Sequence, residues 1–395
     1  MDIQFTDEEV AFREEIQQFL REELPDDWDP LNQGSPHSPE QLPFTKAMAD
    51  KLADKGWLTL AWPEEYGGQA RSIMEQTVYR EEMTYWGVPG TDLGTGAISW
   101  VGPVLMISGT EEQKSEHLPP IANAERYWCT LYSEPGSGSD LASLQTSAVQ
   151  DGDDYIINGQ KIWTSSGHIA DWGWLAARTD SDAPKHRGIS LFMLDMKSPG
   201  VTVRPIVNMA GSHEFNEVYF DNVRVPKGNL VGEENRGWYT LAVALDFERS
   251  GVGYSASARR TLETLVKYAK ETNRNGNPLS EDPIVRHKLA ERKIEIEVSR
   301  WLSYQVAWMQ SQDMVPNAEA SMSKLFGTEL TQKVAQTGMD ILGMTGQISQ
   351  GSKWAPLQGY IQRLYLSSVS STIAAGTSEI QRDIIARRGL GLPRA

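Results

Sequence analysis

The run Leu241 to Arg249 reads Leu-Ala-Val-Ala-Leu-Asp-Phe-Glu-Arg, an apolar stretch broken by Asp246, Glu248 and Arg249. Ser250-Gly251-Val252-Gly253 and further small residues follow, leaving room for close approach. A carboxylate on an apolar helix beside open space is a candidate general base, because desolvation raises its pKa. The same residues suit a solvated acidic turn or a salt bridge at helical spacing, and residue types alone leave both readings open.

Two further segments have suitable chemistry. Tyr132-Ser133-Glu134-Pro135-Gly136-Ser137-Gly138-Ser139-Asp140 packs hydroxyls, two glycines and a proline into one loop. Its backbone N–H groups and hydroxyls can approach an anion or a planar cofactor closely. Composition alone favours a plain polar connector. Lys161-Ile162-Trp163-Thr164-Ser165-Ser166-Gly167 sets a large aromatic beside three hydroxyls, able to stack on a ring and bond its edge. A barrel tryptophan followed by a turn is the strong competing reading, since the chain holds 13 tryptophans.

The elements that must position these residues follow an α, β, α order. Thr6-Asp7-Glu8-Glu9 is a capping box, with Phe5 and Val10 as its hydrophobic staple. A second helix is predicted from Ser38-Pro39 to Lys55, and a third from Thr110 until Pro119-Pro120 stops it. From Trp128 the pattern changes to short strands at 146–149, 155–157, 161–163, 172–177, 189–195, 201–206 and 217–225, with Asn158-Gly159 as a turn. No helices separate them, which predicts an antiparallel barrel or sandwich rather than a parallel sheet. Long helical patterns return at 237–271, 283–311, 316–342, 353–366 and 377–388, as in a bundle. The expected domains are an N-terminal helical domain (1–127), a middle β-domain (128–231) and a C-terminal helical bundle (232–395).

The chain has 395 residues and a formal charge of −16. The charge is −15 over residues 1–127, −4 over 128–231 and +3 over 232–395. Such acidity argues against nucleic acid and anionic membrane as partners. Cys129 is the single cysteine, which excludes an intrachain disulfide. The start Met1-Asp2-Ile3-Gln4 lacks the basic and apolar regions of a secretory signal, and no apolar run reaches the ~18 residues of a bilayer span. A cytoplasmic protein is expected. Gly94-Thr95-Gly96 and Gly136-Ser137-Gly138 lack the third glycine and βαβ setting of a dinucleotide fingerprint. The six histidines show no metal-ligand spacing, so no metal is expected.

Taken together, the motifs resemble the acyl-CoA dehydrogenase family across essentially the whole chain. Ser133 to Asp140 is similar to its T-E-P-G-x-G-S-D block, and Trp163-Thr164-Ser165 to its W-x-T block. Ala375-Gly376-Thr377-Ser378-Glu379-Ile380-Gln381-Arg382 resembles its C-terminal E-G-T-S-x-I-Q-R block. The resemblance implies an N-terminal helical domain, a central β-domain and a C-terminal four-helix bundle, with non-covalent FAD and a tetramer. It places Tyr132, Ser133, Ser139, Trp163, Thr164, Ser165, Arg274, Gly343, Thr377 and Glu379 at the flavin. Ser139, Asp246, Arg249, Ala375, Gly376 and Arg387 fall at positions near the acyl-CoA.

The chain departs from the family in several places. Asn275-Gly276-Asn277-Pro278 replaces the rest of an R-x-x-F-G pattern, while Asp340 and Met344 replace a glutamine and a glycine in Q-I-x-G-G. The glutamate that usually precedes G-T-S is Ala375 here. The isovaleryl-CoA and long-chain types carry their base in L-D-x-E-R instead, which matches Leu245-Asp246-Phe247-Glu248-Arg249. The resemblance therefore implies α,β-dehydrogenation of an acyl-CoA with Glu248 as base and an electron-transfer flavoprotein as acceptor. It also admits an acyl-CoA oxidase, a subunit of a heteromeric dehydrogenase for bulky substrates, and a non-catalytic binding protein.

Overall fold

The computed structural model describes residues 4–31, 34–244 and 251–393. Asp246, Glu248 and Arg249 lie outside the described residues. Helices α1 (Asp7–Glu23), α2 (Leu42–Asp54), α3 (Ile73–Tyr85), α4 (Gly102–Ser108) and α5 (Glu111–Ala122) come first. Strands β1 (Trp128–Leu131), β2 (Ser147–Asp151), β3 (Asp154–Ser165), β4 (Trp172–Arg178), β5 (Ile189–Asp195), β6 (Val201–Val207), β7 (His213–Pro226) and β8 (Leu230–Val231) follow. Next are α6 (Gly237–Ala244), α7 (Val252–Glu271), the hairpin β9 (Asn273–Arg274) and β10 (Asn277–Pro278), and α8 (Pro283–Ser311). The chain closes with α9 (Asn317–Leu342), α10 (Tyr360–Ser371) and α11 (Ser378–Ile384). These elements fall into two compact units, one of residues 34–71 and 89–248, the other of 1–33, 72–88 and 249–395.

In the first unit the strands form one eight-stranded sheet ordered β6-β7-β3-β2-β4-β5-β8, with β1 beside β4. It is mixed rather than purely antiparallel, since β1 and β2 both run parallel to β4. Alternate residues from its strands, including Leu131, Tyr155, Ile157, Leu175, Phe192, Val218 and Val223, build the core. Asn158-Gly159 is not a turn. The pairing of β3 with β7 continues past it, with a register shift at Ile157/Gly159. Gly159 has φ +150 and its missing Cβ would meet Thr146 Oγ1 at 2.6 Å, so the bulge requires glycine.

Two predicted helix ends also move. Ser38 Oγ accepts from Gln41 N within a turn, and α2 starts only at Leu42. Helix α5 does not stop at Pro119-Pro120 but runs to Ala122. Prolines remove N–H donors, and Arg126 Nη1 supplies a donor to the Glu116 carbonyl at 3.1 Å, which Pro120 cannot serve.

In the second unit α7, α8, α9 and α10 form a four-helix bundle. Leu262, Ile296, Leu330 and Val334 fill one layer, and Leu265, Ala269, Ile341 and Ile361 another. Gly338 lets α9 and α10 approach, since a Cβ there would lie 2.8 Å from Ile361. The helix predicted at 353–366 begins instead at Tyr360, because Leu357, Gln358 and Gly359 all adopt left-handed φ. The capping box of α1 forms as expected, with Thr6 Oγ1 accepting from Glu9 N at 3.2 Å. Phe5 packs edge-on against Tyr304 at 5.6 Å and beneath the Arg13 guanidinium, leaving Val10 43% exposed. Nearby, Glu81 is buried between Arg13, Arg300 and Tyr304. Burial alone would raise its pKa, but those partners hold it down to about 2.

Candidate active site

The loop 132–140 leaves the end of β1 and is pinned from beneath by one ion pair. Lys161 on β3 is fully buried, and its Nζ donates to the Tyr132 carbonyl at 3.0 Å and to Glu134 Oε1 at 2.8 Å. The Glu134 carboxylate also accepts from the backbone N–H groups of Gln145 (2.6 Å) and Thr146 (2.8 Å). Burial opposes the charge on Glu134, but Lys161 and the other donors hold its pKa below the ordinary carboxylate range. Burial brings the pKa of Lys161 down to about 8, and Glu134 opposes that shift.

Glu134 and Ser137 exchange backbone hydrogen bonds, and Ser137 Oγ donates to the Asp140 carbonyl at 2.8 Å. Ile162 N donates to the Ser133 carbonyl at 2.9 Å, which sets the loop against the strand leading to Trp163. Tyr132, stacked on Trp100, completes this wall. Gly136, Ser137, Gln145, Gly159 and Gln160 border a depression of about 380 Å3 beneath the loop.

Trp163 stands at a second β-bulge, between Lys161 and Thr164, in the left-handed conformation (φ +62). This is costly for a bulky residue. The bulge leaves the indole 57% exposed and edge-on to Phe215. Ser165 follows at the end of β3, and Thr164 Oγ1 is buried without a partner among the described residues.

A polar cluster that the sequence pattern did not reveal supports this turn. Ser166 Oγ lies 3.0 Å from His37 Nδ1 and 3.2 Å from Thr95 Oγ1. Asn216 Nδ2 donates to the Thr164 carbonyl at 3.0 Å and lies 3.2 Å from His168 Nδ1. Asn216 Oδ1 meets His213 Nε2 at 2.8 Å. Burial, with His168 second, lowers the pKa of His37 to about 4. Three of the six histidines meet here from distant parts of the sequence, so no local spacing could have shown it. Among the described residues, no group of three or more His, Cys, Asp or Glu side chains is arranged to hold a metal ion.

The second unit carries the remaining predicted residues in two places. Ala375 (φ +52) and Gly376 (φ +85) make a tight turn into α11. Lys324 Nζ donates to the Gly376 carbonyl at 2.7 Å, and Gln381 Nε2 to that of Ala375 at 3.2 Å. Thr377 Oγ1 accepts from Ile380 N, the N-cap of α11, with Glu379 in its first turn. Arg387 lies beyond α11, paired with Asp383 at 2.8 Å.

Arg274 sits at the Asn275-Gly276 hairpin and donates to the Ile341 carbonyl at 2.8 Å, closing the C-terminus of α9 beside Gly343. Asp340 bonds Lys288 (2.5 Å) and Gln336 (3.0 Å), while Met344 is 88% exposed.

The residues at 132–139 and 163–165 fit a flavin. An added Cβ at Gly136 or Gly138 would meet nothing within 4 Å, so the backbone there is open, and Trp163 offers an exposed ring held by the bulge.

Comparison with known proteins defines the class. Family models described as the acyl-CoA dehydrogenase N-terminal, middle and C-terminal domains match residues 6–125, 129–223 and 235–390. The chain belongs to the acyl-CoA dehydrogenase family, whose cofactor is FAD. Among individual relatives, acyl-CoA dehydrogenase FadE26 of Mycobacterium tuberculosis is 40% identical over 352 residues, 87% of each chain. The Tcur3481-Tcur3483 steroid acyl-CoA dehydrogenase superposes with a TM-score of 0.90 at 36% identity, covering 100% of both chains. The ChsE4-ChsE5 complex from Mycobacterium tuberculosis gives 0.88 at 36% identity, also covering 100% of both chains. No helix among the described residues is long and apolar enough to cross a membrane.

Proposed function

We propose that this chain oxidises the Cα–Cβ bond of an acyl-CoA thioester to the 2-enoyl-CoA, with Glu248 as the base that removes the α-proton. The observation that carries this reading is the turn at 375–376. Its backbone is left-handed and braced by Lys324 and Gln381, although the side chain at the usual base position is a methyl group. A braced turn without a carboxylate suits an N–H donor to the thioester oxygen as enolate charge develops.

Glu248 then remains as the carboxylate for proton abstraction. Ser133, Ser139, Trp163, Thr164 and Ser165 hold the flavin, and Tyr132 lines it. FAD, when bound, supplies the hydride acceptor, and an electron-transfer flavoprotein takes the electrons onward. Asp246, Arg249, Gly376 and Arg387 contact the CoA portion, and Thr377 and Glu379 contact the cofactor.

The departures at Asn275, Asp340 and Met344 favour assembly with a second, homologous chain over a homotetramer. Arg274, which resembles the family arginine that reaches a neighbouring subunit's FAD, is bonded to this chain's own Ile341 carbonyl, and Asp340, in place of the motif glutamine, is bonded to Lys288. Two of the similar structures are themselves described by pairs of chain names, and one as a steroid enzyme. A bulky, ring-bearing acyl group is the substrate class this favours.

The test is anaerobic titration of the purified yellow protein with a panel of acyl-CoAs, followed by flavin bleaching. Glu248→Gln is expected to keep FAD but lose bleaching. A Gln variant that bleaches near the wild-type rate would refute the assignment. Rapid reoxidation of the reduced enzyme by air would favour an oxidase instead.

A further inference from the structure

We infer that the helical unit carries a binding site for a small oxyanion, a carboxylate or a phosphate, between Arg260 on α7 and Arg363 on α10. The two residues line one cavity of about 270 Å3, with Thr84, Ser257, Tyr360 and Leu31 also in its wall. This is room for a carboxylate or phosphate head. None of these residues belongs to the motifs shared with the family.

Three observations point to an anion. First, neither guanidinium pairs with a carboxylate within 4.0 Å among the described residues, whereas Arg13, Arg292, Arg300, Arg382 and Arg387 of the same unit all do. Second, Arg260 Nε is buried with no hydrogen-bond partner, an unspent donor at the cavity. Its Nη1 makes only a long contact of 3.4 Å to Tyr85 Oη, and the Tyr85 and Trp86 rings hold the group in place. Third, Arg363 is oriented by its bonds to Gln350 Oε1 (2.8 Å) and the Leu31 carbonyl (2.9 Å). A guanidinium carries five N–H donors, so these two bonds do not exhaust it. Two held arginines facing one small cavity match the forked recognition of carboxylate or phosphate oxygens.

The experiment titrates the FAD-loaded protein with inorganic phosphate and, separately, with glutarate, by calorimetry at ionic strength held constant with potassium chloride. Saturable single-site binding is expected for at least one of them. Phosphate alone would identify a free phosphate as the ligand, and glutarate alone the acidic end of a carboxylate. Arg260→Gln and Arg363→Gln should each weaken binding at least tenfold, and Arg363→Lys less than Arg363→Gln. Ser257→Glu places a carboxylate inside the cavity. It should abolish the titration while raising the melting temperature, an effect that arginines of purely structural role would not produce. Failure of both anions to saturate the wild type, or wild-type binding by the glutamine variants, would overturn the inference.

Discussion

Replacing Lys161 with methionine keeps the volume of a fully buried side chain but leaves Glu134, only 8% exposed, without its counter-ion. Breaking a buried pair from one side costs about 3–5 kcal/mol. The two backbone N–H bonds to Glu134 survive, which places the loss near the lower end, about 3 kcal/mol. The Tyr132 carbonyl loses its donor as well, worth about 1 kcal/mol. At roughly 2–4 °C per kcal/mol for a unit of about 200 residues, melting should fall by about 8–16 °C. Calorimetric melts of wild type, Lys161→Met, Glu134→Gln and the double variant form the assay. The double variant removes the stranded charge and should recover most of the loss, giving a coupling energy of about 2 kcal/mol or more. In acid the sign is fixed by Glu134, whose folded pKa is depressed. Its contribution is complete above the ordinary carboxylate pKa and disappears as pH falls through the folded value. Melting of Lys161→Met within 1 °C of wild type, or a double variant no better than the single, would refute this account of how the loop is held.

Three further changes test the same wall. Trp163→Ala should weaken FAD binding about 10–100-fold through lost ring stacking, read from quenching of flavin fluorescence, and an unchanged Kd would remove Trp163 from the flavin site. Gly159→Val drives a side chain into Thr146, whose Oγ1 and Cα lie 2.6 and 2.8 Å from the new Cβ, and should cost about 2 kcal/mol or more in urea unfolding. His37 has a folded pKa of about 4 against the usual 6.5, so the unfolded chain takes up its proton first. Its contribution is intact above pH 6.5 and is lost as pH falls towards 4. His37→Gln should flatten the stability profile over that window, and an unaltered profile would count against the burial of a neutral imidazole.

The sequence by itself determined the features that depend on local chemistry. The capping box at Thr6 and the α, β, α order could be read from residue types and spacing, because caps and periodicity act over a few residues, while the motifs at 132–140, 163–165 and 375–382 took their meaning from the family resemblance. Tertiary structure decided what depends on distant partners. Asn158-Gly159 is a bulge because β7 pairs on both sides of it, and α5 passes two prolines because Arg126 serves a carbonyl they leave unpaired. Phe5 packs edge-on against Tyr304, a partner about 300 residues away that no local pattern could name. The ion pair beneath the loop 132–140, the histidine cluster behind Trp163 and the two arginines lining one cavity share a physical cause. Each gathers polar groups from separate elements of the sequence, and only the packed chain brings them to one place.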